Sequence, residues 1–197
     1  MVKEIKRWWP LFVLPTALSF LFGFVIPFAQ GLYLSFCEFI TVGNAKFVGL
    51  RNYVDALADT QFTASFFFTV AFTVVSVVLI NVIALAIAQA LTRKGLKGTN
   101  AFRTVFFMPN LMPTITICLF LSLTNGFKLF DQNLALTGGE PAHSTEMLAL
   151  NIFNTFYSRS GIKWMGIGQA KAVIFCILVV VIALVQLRAT QSKEVEQ

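Results

Sequence analysis

Few side chains in this 197-residue sequence are of the kind that performs chemistry, and their spacing does not bring them together. His143 is the one histidine, set in a stretch containing Gly and Pro. One imidazole cannot build a zinc site, and no acid is placed to complete a triad with it. Cys37, Cys118 and Cys176 are odd in number and form no C-x-x-C pair. They read as small apolar packing residues rather than a disulfide frame or a metal site. The sequence holds no G-x-x-x-x-G-K-[ST], no H-E-x-x-H and no G-x-S-x-G, so it is expected to bind no cofactor, to catalyse nothing and to leave ATP alone. What remains is polar side chains inside apolar runs. Ser65, Thr69, Thr73 and Ser76 can bond back to their own backbone. Asn81 needs either a partner on another helix or a wet pathway.

The element that carries these residues sets the class of the protein. Phe62 to Leu91 runs for thirty residues without Asp, Glu, Lys or Arg. As a helix it would reach about 45 Å, against a hydrocarbon core of about 30 Å. Arg93, Lys94, Lys97 and Arg103 follow with no acid among them, which marks the cytoplasmic side. Composition agrees: 57% of residues are hydrophobic and 12% charged, where a soluble domain carries about 25% charged. The 22 Phe read as lipid-facing and interhelical packing.

Taken in order, Lys3, Lys6 and Arg7 precede Trp8-Trp9-Pro10, a cytoplasmic anchor at the lipid interface. A charge-free first span follows over residues 11–36. It is too long for a signal-peptide core and is expected to bend near Pro27. Residues 37–60 are mixed polar, with a short amphipathic helix from Arg51 to Ala58. The second span covers 62–91 and the third 104–127. Pro109 and Pro113 in that third span each lack an N–H, so a kink or break is expected there. A long polar segment follows, with turn chemistry at Gly138 to Pro141 and a short helix over Met147 to Tyr157. The last span, 168–187, extends outward through Trp164 with Lys171 snorkelling. The expectation is an all-α membrane protein: one domain, 1–197, with four transmembrane helices and both termini inside. In that topology the inside segments carry nine Lys/Arg against three acids, and the outside segments six against six. The net charge of +6 therefore follows the positive-inside rule and does not call for nucleic acid.

Three stretches resemble the permease subunits of binding-protein-dependent ABC importers, of the carbohydrate, MetI-like transmembrane type. They are Phe47-Val48-Gly49-Leu50-Arg51-Asn52-Tyr53, Asn100 to Pro109, and Phe127-Lys128-Leu129-Phe130-Asp131 with Leu136-Thr137-Gly138-Gly139-Glu140-Pro141 and Ser144-Thr145. Glu140 stands where the family usually shows a third Gly. The resemblance implies a bacterial inner-membrane protein that contributes helices to an importer's permease bundle. It implies separate ATPase subunits, a second permease subunit and an extracellular or periplasmic sugar-binding protein as partners, with a small-molecule sugar as cargo. By position it implies that Ser122, Asn125, Gly126 and Leu129 line the substrate pathway; capping of a helix end at the interface is the other reading of Ser122 and Asn125.

The departures are as specific as the match. Family members of this type have at least six spans and a cytoplasmic coupling loop with a Glu-Ala-Ala signature. None of the six glutamates here is followed by two alanines. The match to the family's third span stops near Asn110, and the match to its fifth starts near Leu111. The third span thus resembles two spliced helices, with two spans and the coupling loop missing between them. A non-transporting remnant, or a helical partner of an intact permease, is the competing reading. An autonomous small carrier fits least, since the chain shows no internal repeat and no ionisable residue deep in its spans. Reporter fusions at residues 45, 97, 143 and 195 are expected to read outside, inside, outside and inside. One inverted reading would overturn the four-span topology.

Overall fold

A computed structural model of the chain describes residues 13–92 and 115–194. These form seven α-helices and one two-stranded hairpin: α1 Val13–Leu34, β1 Cys37–Glu38, β2 Lys46–Phe47, α2 Arg51–Ala58, α3 Thr60–Thr92, α4 Ile115–Phe127, α5 Asp131–Leu136, α6 Leu148–Tyr157 and α7 Ile162–Glu194. Three stretches among the described residues are long and apolar enough to cross a membrane: Val13–Leu34, Thr60–Ala90 and Ile162–Arg188. At most 11% of each one's most apolar window is buried within the chain. So many exposed Phe, Leu, Ile and Val require hydrocarbon or another protein around them. The protein is thus mostly helical and of membrane type. α4 has 13 residues, about 20 Å of helix. The Pro109–Pro113 junction lies outside the described residues.

The described residues fall into two compact units, one drawn from 13–58 and 152–174, the other from 59–92, 115–151 and 175–194. In the first unit α1 carries a π-helical turn over Leu21–Val25, and the Ile26 N–H reaches back to the Leu21 carbonyl. Pro27 follows at the start of the next regular turn. Its ring cannot donate to the Gly23 carbonyl and crowds it, and a widened turn just before the proline relieves that. The irregularity expected at Pro27 therefore sits one turn earlier.

At its C-terminal end α1 is fastened by the first of the three recognisable motifs. The Asn52 amide donates to the Ser35 and Cys37 carbonyls, both at 2.9 Å, and the Tyr53 and Ser35 hydroxyls meet at 2.7 Å. β1 and β2 pair antiparallel, Cys37 opposite Phe47 and Glu38 opposite Lys46. Gly49 takes φ +63°, a left-handed turn that a side chain would strain, and sends the chain into α2. The helix expected over Arg51 to Ala58 has those bounds. Against this clasp lie Ala56, Ile167 and Ala170, with Tyr53, Trp164 and Ile174 around them. Gly166 permits the approach, because a Cβ there would run into the Cys37 carbonyl and the Asn52 amide.

α7 includes Trp164, as its sequence suggested, and begins at Ile162. Lys171 differs from expectation. Its side chain is fully buried, and its ammonium donates to the Thr155 hydroxyl at 2.9 Å rather than reaching for the interface. Arg159 stacks over the Trp164 ring at 4.5 Å, and Lys163 pairs with Asp55 at 3.1 Å.

In the second unit α3 is nearly featureless in amphipathic terms, except for one seam. Phe62, Ser65, Thr69 and Thr73, spaced three and four apart, are its buried residues, while Phe67, Val74, Val78 and Leu85 are exposed. α4 packs along α3. Asn81 bonds to the Val77 carbonyl of its own helix at 2.7 Å, so its need for a partner is met by its own backbone. Substituting Gly166→Ala is expected to cost about 1–3 kcal/mol by overpacking, and Asn52→Leu about as much by stranding two buried carbonyls. Both should lower the thermal midpoint of the detergent-purified chain, whereas Val54→Ala, on the exposed side of α2, should leave it within about a degree or two.

Candidate functional site

The residues that the family resemblance assigned to a pathway sit at the end of α4 and just beyond it, within the second unit. Gly126 is buried and lies against the Thr73 side chain, where an added Cβ would stand 2.7 Å from the Thr73 Cγ2. α3 and α4 approach here because one contributes a glycine and the other a small β-branched residue, the way helices close on each other in lipid. Ser122 is half-buried and Asn125 is exposed to a different degree from its neighbour Gly126, as the helix turns. The Lys128 N–H closes onto the Asn125 carbonyl at 3.0 Å and ends the helix. Leu129 follows and forms part of the wall of a cavity of about 140 Å³, together with Phe68, Phe72, Gln132, Asn133 and Met147. Of the four assigned residues, Gly126 meets α3 directly and Leu129 shares a cavity wall with it.

Next to the cavity is a hydrogen-bonded loop that no single residue advertises. Asn133 on α5 is its hub. Its amide nitrogen donates to the Thr137 hydroxyl at 3.1 Å and the Thr145 carbonyl at 2.8 Å, and its amide oxygen accepts from the Met147 N–H at 2.9 Å. The segment Thr137 to Thr145 is thereby folded back on itself, with Gly138 and Gly139 at φ +58° and +90°. Glu140, at the family's usual third glycine, is not among the residues with positive φ. Its carboxylate accepts the Ala142 N–H at 2.8 Å, so a side chain there strengthens the loop instead of straining it.

Glu146 anchors this loop to α3. Its carboxylate is fully buried and accepts from the Gln61 amide at 2.6 Å and the Asn151 amide at 3.3 Å, with His143 Nδ1 at 3.4 Å. Two residues on, the first turn of α6 is capped from outside its own chain segment. The Leu148 N–H donates to the Thr69 hydroxyl at 2.9 Å, and that hydroxyl in turn donates to the Ser65 carbonyl at 2.7 Å. Helix starts leave orphan donors, and here a side chain from the buried seam of α3 satisfies one of them. Sequence reasoning passed over Glu146 and Asn133, and of Thr69 it expected the bond back to its own helix but not the cap on α6. The four-residue spacing of Ser65, Thr69 and Thr73 was the available signal. His143, placed by sequence in a solvated loop, is half-exposed and touches only one edge of this cluster.

Among the described residues no group of His, Cys, Asp and Glu could hold a metal ion. The arrangement offers hydrogen bonds, aromatic walls and close helix contacts, which suit binding and passage rather than bond making. No protein-family model matches the chain. Similarity to individual proteins is more decisive. The chain is 29% identical to the probable starch degradation products transport system permease protein AmyD of Thermoanaerobacterium thermosulfurigenes, over 96% of each chain. It is 31% identical to the trehalose/maltose transport system permease protein MalF of Thermococcus litoralis over 136 residues, and 34% identical to the multiple sugar-binding transport system permease protein MsmF of Streptococcus mutans over 116 residues. The proteins it resembles are permeases of carbohydrate transport systems. The chain spans 46% of MalF and 39% of MsmF. The match to AmyD covers 283 positions, whereas 96% of 197 residues is about 189, so about 94 aligned positions have no residue of this chain opposite them. Such relatives are transport proteins and not enzymes, in keeping with the lack of any catalytic constellation in the sequence.

Replacing Thr69 with Val keeps the shape of the seam and removes the acceptor for Leu148. A stranded buried N–H costs about 1–3 kcal/mol, so the Leu148 amide should exchange with solvent about tenfold to a hundredfold faster, while amides near Asn52 are unchanged. Equal protection in both proteins would show that the contact carries no energy.

Proposed function

We propose that the chain is a shortened transmembrane permease subunit of an ABC importer for sugars, inserted by itself but uncoupled from ATP hydrolysis. The observation that carries this reading is the alignment to AmyD: similarity from end to end, interrupted by about 94 unmatched positions. The sequence resemblance puts the interruption near Asn110 and Leu111, where two spans and the coupling loop would stand. On this reading the chain is one transmembrane domain of four spans, the third formed by residues 104–127, with both termini in the cytoplasm of a bacterial cell. Its partners are separate ATPase subunits, a second permease subunit and a sugar-binding protein outside the membrane. Ser122, Asn125, Gly126 and Leu129 contribute to the pathway wall, and the cavity that Leu129 shares with Phe68 and Phe72 supports that assignment for Leu129 in particular.

Coupling needs a surface whose contacts differ between the two states of the ATPase pair. On the cytoplasmic side the loop between the second and third spans is residues 93–103. The loop has eleven residues, four of them basic, and Gly95 and Gly98 oppose a stable helix. It has no run of apolar anchors to seat in a groove. The same observation favours a second reading, a remnant or helical partner that packs against an intact permease without transporting. Complementation separates the possibilities. In a strain lacking the corresponding full-length permease, with ATPase, second permease and binding protein supplied, the chain should enter the membrane and sugar uptake should stay at the vector level. Uptake approaching that of the full-length protein would overturn the uncoupled reading. Co-purification with an intact permease but with no ATPase would favour the helical-partner reading.

A further inference from the structure

We infer that α2 and the hairpin before it lie on the lipid interface at the C-terminal end of α1, with Leu50, just before α2, and Val54 and Leu57 on it, set into phospholipid. The inference needs only the membrane character of the chain and not its transport role. α2 has two unlike faces. Asn52 and Ala56 point inward, 1% and 0% exposed, and carry the clasp onto Ser35 and Cys37. Leu50, Val54 and Leu57 follow one another at spacings of four and three, so they form a single line on the opposite side of the helix. They are 66%, 63% and 64% exposed. Ile40, Val42 and Phe47 of the hairpin are exposed to a similar degree, at 60%, 64% and 64%. Six large apolar side chains thus stand uncovered on a segment of fewer than twenty residues, a density that a water-facing loop does not hold without a partner.

Position identifies the occupant. Ser35, which receives two of the clasp's contacts, is the residue immediately after Leu34, the last of the first membrane-crossing stretch. α2 is therefore hydrogen-bonded to the end of a membrane span and cannot move away from it into bulk water. The next membrane-crossing stretch begins at Thr60, two residues after α2 ends, which tethers the segment at both ends. In the last turn of α1 itself Leu32 and Tyr33 are also exposed. Polar groups flank the stripe as an interfacial helix requires. Arg51 is exposed beside it, and Asp55 is neutralised by Lys163 at 3.1 Å. The aromatic and cationic group of Trp164, Arg159 and Lys163, in the same unit, is of the composition that gathers at headgroup level.

The test uses the whole chain, purified and reconstituted into vesicles of phosphatidylethanolamine and phosphatidylglycerol with tritiated acyl chains. The photoreactive residue p-benzoylphenylalanine is placed singly at Val54, Leu57 or Asp55, and each variant is first checked for resistance to alkaline extraction. If the Leu57 variant is not retained, Leu50, which lies before the helix, takes its place. After irradiation, tritium should be bound to the chain at Val54 and Leu57 at least fivefold above Asp55. Equal labelling at all three positions, or none at any, would overturn the inference. So would cross-linking at Val54 and Leu57 to a second copy of the chain in place of lipid, which would make the stripe a protein contact.

Discussion

Within hydrocarbon, apolar side chains gain nothing by leaving lipid for one another, so contacts between spans depend on small residues and on hydrogen bonds that have no competitor. That constraint explains where this chain has its specific structure. Along most of α3 and α7 the side chains face outward and differ little in kind. The named contacts gather in small clusters, Asn52 to Ser35 and Cys37 in one unit, and Asn133, Glu146 and Thr69 in the other. In each unit an asparagine side chain holds a loop to a helix, and a glycine on a helix, Gly166 or Gly126, leaves room for a close approach. The recognisable motifs coincide with these clasps. Phe47 to Tyr53 contains Asn52, Tyr53 and the turn at Gly49, and Leu136 to Thr145 contains the loop that Asn133 closes. At the end of α1 the backbone carbonyls must find donors, and Asn52 supplies them.

Elements with a strong one-dimensional signal are legible in the amino-acid sequence. A thirty-residue run without charge can only be a span or a buried helix, and α3 covers it with a few residues to spare. α2 and α6 are readable because mixed polar and apolar residues at helical spacing over eight to ten positions leave few other foldings. What the sequence does not reveal is which face of an almost uniformly apolar helix turns inward. α3 shows almost no amphipathic contrast, and its inner seam is marked only by three hydroxyls at four-residue spacing. Asn81 has the look of a residue in need of a distant partner, yet the carbonyl four residues earlier supplies one. Thr69 has the look of a self-satisfied residue and does bond back to the Ser65 carbonyl, but it also caps another helix. Both outcomes depend on which groups come near, and that is information no window of sequence holds. For the four residues carried over by resemblance, position alone places them near a helix end. It does not tell that Gly126 is the one to meet Thr73.

The fastening of Lys171 has a consequence for the thickness of membrane this protein prefers. A lysine near the end of a span ordinarily acts as a float, sliding its ammonium along the bilayer normal as the lipid thickens or thins. Here the ammonium is tied to the Thr155 hydroxyl and sealed from solvent, so that adjustment is lost at one end of α7. The membrane-crossing stretch Ile162–Arg188 is 27 residues, about 40 Å of helix against a hydrocarbon layer of about 30 Å, so Lys171 stands within it. Because its ammonium is sealed inside the protein, Lys171 cannot follow the headgroups, and only Arg188, exposed toward the other end, can do so. The excess length is taken up by tilt or by a thicker bilayer.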